Sequence, residues 1–292
     1  MSSPSQPPAA EQHAPAKAGV RPRWLLLIIV TAFLFVLMPF LFWQATWFGR
    51  PLTDAQIDKN LADREHPRNA QHALSQIADR MLSREPAVRE GAKRFYPQIV
   101  MLASNTHDEL RLTTAWVMGE DNSVPAFHQA LGRLLQDANP MVQRNAALAL
   151  VRFGDASGRA VIVGMLGAYA VPSPAVGALT IRLKPGDVVN PGTLVGHIQA
   201  GEQKTEIRTQ VPGTLDHWLV ADGAQVAAGQ PIVSLAPSPE AAWEALRALY
   251  LIGQAEDLPA IQPFLRPLPG FPEAIRQQAQ LTAEAIRSRP QH

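Results

Sequence analysis

The chain has 292 residues, 47% of them apolar and 17% charged, with no cysteine and a formal net charge of +1. Without cysteine there can be no disulfide scaffold, thiolate metal centre, iron–sulfur cluster or cysteine nucleophile; a near-zero charge argues against nucleic acid as a partner, since a general binder carries a basic excess. Soluble domains average about 25% charged residues, so a long uncharged segment or a weakly charged exterior is expected.

Residues 1–23 hold five prolines among Ser, Gln and Ala and read as a disordered tail. From Trp24 to Gly49 no residue is charged. Residues 24–43, as a helix, are long enough to cross a hydrocarbon core of about 30 Å, and Trp24, Trp43 and Trp47 suit the two interfacial belts. No small-x-small site follows, so the span reads as an uncleaved anchor. Lys17, Arg21 and Arg23 precede it against Glu11 alone. That bias predicts a cytoplasmic amino terminus and an exported, periplasmic body, joined by a linker over 44–52.

Residues 53–167 keep helical spacing. Thr53 and Gln56 form a capping-box signature, and Ala70, Ala73, Leu74, Ile77, Ala78, Met81 and Leu82 make one apolar stripe. The sequence also repeats itself. Trp116, Gly119, Pro125, Phe127 and Leu131 align with Tyr250, Gly253, Pro259, Ile261 and Leu265. Val142 and Ala146 then align with Ile275 and Ala279, 23 residues after the first glycine and 22 after the second. Each glycine is expected to end a helix and each proline to open the next. The register resembles HEAT-like repeats, in the short form also found in phycobilisome-lyase-type arrays, most clearly over Asp137–Asp155. The resemblance implies stacked helix pairs that present a surface to other proteins. A further repeat is expected over 238–288, before a short tail at 289–292.

Between these helical parts, residues 168–237 change period, with short Val, Leu and Ile runs punctuated by Gly and Pro. The segment is internally doubled: Gly186-DV-Val189-NP-Gly192 and Gly223-AQ-Val226-AA-Gly229 each carry aliphatics three and six residues further on. The glycines suit positive-φ turns and the valines a buried layer. This doubling is similar to the biotinyl/lipoyl-like family, a barrel-sandwich hybrid, which also occurs in membrane fusion proteins, the periplasmic adaptors of bacterial export. Carriers of that family display a modified lysine on the hairpin between the halves. Here the aligned position holds Glu202, and Lys204 falls two residues later. Adaptors insert a long helical hairpin at that point, whereas this chain has a short turn.

No catalytic, metal-ligating or cofactor-binding residue is expected. His66, His72, His197 and His217 lack ligand spacing, and no phosphate-loop or nucleophile-elbow motif occurs. Asp216 and His217, as neighbours on a strand, should point to opposite faces. The pairs Glu120-Asp121 and Glu256-Asp257 should favour the amino ends of following helices. Trp116, Trp218 and Trp243 are expected in the core, and any of them that is exposed becomes a candidate for binding a partner.

The expected fold class is multidomain α+β: one N-terminal transmembrane helix, then an α-solenoid of HEAT-like repeats interrupted by an all-β lipoyl-like barrel-sandwich hybrid. The expected role is a non-enzymatic, single-pass scaffold or adaptor subunit of a membrane complex in the bacterial inner membrane, with protein partners and possible self-association. Two alternatives stand beside it: a biotin- or lipoate-carrier subunit modified on Lys204, and a cytoplasmic-facing lyase or maturation factor.

Overall fold

The chain divides into two units, residues 1–51 and 52–292. A computed structural model describes residues 22–45, 51–63 and 65–289, with the side chains of the first helix described at Trp24 and over 26–40. The tail expected over 1–23, up to residue 21, and the linker over 46–50 lie outside the described residues, as do 290–292.

The first unit contains α1 (Pro22–Ala45), a helix of 24 residues with Pro39 inside it. Its described apolar side chains other than the half-buried Leu37 are exposed, Phe35 at 81% and Met38 at 76%. Among the described residues no helix is long and apolar enough to cross a membrane; the span expected over 24–43 runs past the side chains described.

The second unit begins with α2 (Asp54–Ala62), α3 (Pro67–Met81), α4 (Pro86–Ala92), α5 (Tyr96–Leu102), α6 (Asp108–Met118), α7 (Pro125–Leu134), α8 (Pro140–Arg152) and α9 (Arg159–Gly164). Eight strands follow, and then α10 (Pro239–Ile252), α11 (Leu258–Ile261) and α12 (Glu273–Ser288). Thr53 and Gln56 close the expected capping box on α2. Proline opens α3, α4, α7, α8 and α10, where its missing N–H leaves no helical bond unmade and its fixed φ suits the first turn. The stripe from Ala70 to Met81 is buried as expected. Leu82 is not: it caps α3 and is 57% exposed, because the stripe's period carries past the helix's packed length.

Helices α3, α6, α8, α10 and α12 lie side by side in one layer. The β strands interrupt the chain between α9 and α10 without breaking this stack. One hydrophobic cluster joins Ala147 and Val151 of α8, Ile162 of α9, Leu246 and Leu249 of α10, and Ala279 and Ile286 of α12. Arg159 at the start of α9 also reaches forward to Asp257, at 2.9 Å. The helical parts before and after the strands are therefore one array.

Gly119 and Gly253 end α6 and α10 as expected, yet at φ of −69° and −63° neither uses the left-handed conformation. Clearance is what they supply. A β-carbon at Gly119 would lie 2.9 Å from Ala149 Cβ of α8, and one at Gly253 would lie 2.6 Å from Ile286 Cδ1 of α12. Each glycine lets the next helix of the layer approach closely, so the repeated residue repeats a packing requirement.

The strands are β1 (Tyr169–Pro172), β2 (Gly177–Ile181), β3 (Val188–Val189), β4 (Leu194–Ala200), β5 (Gln203–Arg208), β6 (Gly213–Trp218), β7 (Gln225–Val226) and β8 (Pro231–Pro237). They form two antiparallel four-stranded sheets, ordered β1-β8-β6-β3 and β5-β4-β2-β7. Advancing each strand number by four converts one order into the other, so the doubled sequence is a doubled topology. The expected turn glycines, Gly186, Gly192, Gly223 and Gly229, all have positive φ between 77° and 94°. They bracket the two short strands whose Val189 and Val226 are buried between the sheets. Because β1 pairs with β8, Tyr169 opposite Leu235, the chain leaves the module beside where it came in, and α10 can resume the stack.

Candidate functional site: a groove across the helical layer

Where α6, α8 and α10 meet, a groove of about 480 Å³ opens, with Trp116, Leu148, Ala149, Arg152, Arg247 and Leu251 among its lining residues. Its floor is apolar because α8 turns Leu148 and Ala149 toward it, one turn beyond Asn145, whose side-chain amide donates to the Leu112 carbonyl of α6 at 3.2 Å. Gly119 lies in the same lining, so the residue that lets α6 approach α8 also shapes the groove.

Trp116 stands at one side, 43% exposed, and Leu251 at the other, 62% exposed. Placing Trp116 in the core is thus corrected. It sits at the end of α6 facing along the layer, where the neighbouring helix offers Ala149 and Arg152 rather than a large apolar cover. Its repeat counterpart, Tyr250, is 44% exposed, so the two aligned repeats hold an aromatic at the same position with the same exposure. Trp218 and Trp243 are half-buried; Trp218 donates its indole N–H to the Leu183 carbonyl at 3.0 Å.

The groove's charges differ in commitment. Arg152 is held by Glu120 at 2.8 Å, whereas Arg247 has no ion pair among the described residues. Glu244 is an exposed residue of α10 that also lines the groove. Burial there raises its pKa, opposed by Arg144 and Arg247 and reinforced by Glu240. Arg144 is 9% exposed, and burial pushes its guanidinium pKa down. It lies on α8 one residue before Asn145, near Tyr169 of β1, and Met141 of α8 packs on the core of the β module. The module therefore abuts the amino-terminal end of the helix that floors the groove.

Other residues singled out from the sequence are scattered. His66 pairs with Asp63 at 3.1 Å, His72 bonds Gln76 at 3.0 Å, and His197 lies mid-strand opposite Glu206. Asp216 and His217 do meet, at 2.9 Å, contrary to the opposite-face expectation. The ladder is irregular between Leu215 and His217, and a bulge brings consecutive side chains to one side; both are exposed. Glu120 and Asp257 bind arginines of neighbouring repeats, and Asp121 accepts from Tyr96 at 2.7 Å, so these acids link repeats rather than simply favour helix ends. Among the described residues no cluster of three or more His, Asp or Glu could hold a metal. On the β hairpin, Ala200 pairs with Gln203, which leaves Gly201 and Glu202 as a two-residue turn. Gly201 at φ +61° matches a type II′ turn. Glu202 is at the tip and Lys204 is inside β5.

A second cavity, of about 500 Å³, lies between α2 and α5 near Asp63, Gln98, Met101 and His107. Gln98 donates to Asp58 at 3.1 Å, while its buried oxygen lacks a partner. This cavity falls outside the aligned repeats. Trp116 was legible in the sequence as the tryptophan of the repeat; Glu244, Arg247 and Leu251 carried no signal, being ordinary residues of an amphipathic helix.

Residues 97–172 match the family model for HEAT repeats, spanning α5 through α9 into β1. No curated protein matches the chain. Among solved structures, that of a single-chain, multi-domain long-chain acyl-CoA carboxylase shares 15% identity over 50% of this chain, with a TM-score of 0.24. The match covers 13% of that much longer protein.

Proposed function

We propose that this protein is a non-enzymatic scaffold subunit of a bacterial envelope complex, anchored through residues 24–43 with its body outside the cytoplasm. The observation that carries the reading is the groove itself: a stacked helical layer that leaves Trp116 and Leu251 uncovered around an apolar floor. Exposed tryptophans in such settings anchor protein partners, and HEAT repeats commonly mediate protein–protein interaction. The occupant is a protein segment with an apolar anchor flanked by an acidic group that meets Arg247. For the anchor, the support is the uncharged, apolar run from Trp24 to Gly49, flanked by Lys17, Arg21 and Arg23 on its amino-terminal side. The β module is read as lipoyl-like from its doubled strand order, and as a second contact surface rather than a carrier, since Glu202 occupies the hairpin tip.

Two measurements test this. A photo-cross-linking residue placed at Trp116 or Leu251 in living cells should trap a protein partner, while one at the exposed Arg133 of α7 should not; equal trapping at all three positions overturns the groove. A phosphatase fused to the carboxyl terminus should be active, and a fluorescent protein there dark. Intact mass should match the unmodified chain of 31.8 kDa, and an added biotin or lipoyl group would reinstate the carrier reading.

A further inference from the structure

Sheet edges expose unpaired backbone groups, and most edges of the β module are blunted. Strands β3 and β7 have two residues each, and β1 ends at Pro172, which has no N–H to offer. Strand β5 is different: six residues at the edge of its sheet. Its pairing with β4 begins at Ala200 and Gln203, so Gln203 and Thr205 spend their backbone groups on β4. By the alternation of an antiparallel ladder, Lys204 and Glu206 turn theirs to the free edge.

The outward side chains along this edge are Glu202, Lys204, Glu206 and Arg208, all exposed, and their charges alternate. Arg208 and Glu206 already touch, at 2.7 Å, which places them on one face; Lys204 has no ion pair within its own copy among the described residues. Laid antiparallel against itself with Thr205 opposite Thr205, the strand sets Lys204 against Glu206 and Glu202 against Arg208, twice each. That register also brings together the backbone groups that are free. Shifting the centre to residue 204 opposes lysine to lysine, and shifting it to 206 opposes glutamate to glutamate, which is unfavourable for facing residues. The edge is charge-complementary to itself in one register.

We propose that β5 is a self-association surface, on which a second copy of this chain pairs its own β5 antiparallel about Thr205 and extends the sheet across a two-fold axis.

The test uses the full-length chain in detergent, followed by sedimentation over a range of concentrations. The unaltered chain should dimerise. Lys204→Glu alone and Glu206→Lys alone each put like charges together twice and should weaken the dimer by about tenfold or more. Mixing the two single variants restores every pair, as does combining both changes in one chain, so both samples should re-associate. Since the chain has no cysteine, Thr205→Cys introduces a single thiol on the axis and should oxidise to a covalent dimer, whereas Thr214→Cys on β6 should not. A chain that stays monomeric throughout, a dimer indifferent to the charge swaps, a mixture that fails to re-associate, or cross-linking at 214 rather than 205 overturns the proposal.

Discussion

Gly119→Ala adds one methyl group at the closest contact between two helices of the stack. Its β-carbon would stand 2.9 Å from Ala149 Cβ and 3.2 Å from the Trp116 carbonyl oxygen. Carbon atoms rest comfortably at about 3.5–4.0 Å, so α6 and α8 must part by roughly 0.6–1 Å or the Gly119 backbone must move. Overpacking of this kind costs about 1–3 kcal/mol. A glycine-to-alanine change inside a helix gains up to about 1 kcal/mol, but Gly119 is the cap of α6 and recovers little of it. The net loss is about 1–2 kcal/mol, which for a body of this size lowers Tm by roughly 2–8 °C. Gly132 of α7 provides the opposite case, since a β-carbon there meets nothing within 4 Å. Gly132→Ala should therefore stabilise by about 0.5–1 kcal/mol and raise Tm. Thermal unfolding followed by far-UV circular dichroism on both variants reads the sign directly. Ala149→Gly, combined with Gly119→Ala, should return part of the loss. If Gly119→Ala melts at or above the unaltered protein, the packing account of the repeated glycine is wrong.

Arg159 and Asp257 test whether the array is continuous across the β module. Asp257 is 5% exposed; Asp257→Ala leaves Arg159 only the exposed Glu256, at 3.6 Å, and frees the Gln254 N–H that Asp257 accepts at 2.8 Å, for a loss of about 1–3 kcal/mol. A double-mutant cycle with Arg159→Ala should show coupling of about 1–2 kcal/mol; additive effects would mean the contact does not form. Asp137 provides a pH-dependent case. The Arg111 guanidinium holds it by two bonds, at 2.6 and 2.9 Å, and that contact, helped by the Asn139 N–H, keeps its carboxyl below the usual value. A folded-state pKa below the unfolded one adds stability that is present above about pH 4 and lost as pH falls through the folded value. Asp137→Asn should accordingly cost about 1.5–3 kcal/mol at neutral pH, and the gap to the unaltered chain should narrow in acid; a gap independent of pH would assign the stabilisation elsewhere.

Local rules made much of this architecture legible. Prolines at first helical turns and the Thr53 capping box act within a few residues, so they could be read without neighbours. Periodicity separated helical from extended segments, and doubling exposed both the HEAT register and the two halves of the β module. The turn glycines belong here too, because a positive φ is a property of one residue. The groove was less legible. Trp116 lies in an apolar, helical stretch that gives no hint of exposure; whether it is covered depends on α8, some thirty residues on. Asp216 and His217 were misplaced because alternation assumes a regular ladder, and the bulge arises only from pairing with β8.

By itself, then, the sequence determined where helices and strands form and that each class is built by repetition, since backbone preference and burial period are local. The matching repeats suggested that the β module is inserted into one array or set between two arrays that pack together; the tertiary structure decided that the helices on either side make one stack. That outcome depends on β1 pairing with β8, which returns the chain to its point of departure, and on Ala147, Ile162 and Leu246 sharing one buried cluster. It also decided why two glycines recur: each has a φ open to any residue, and what excludes a side chain is the next helix of the layer.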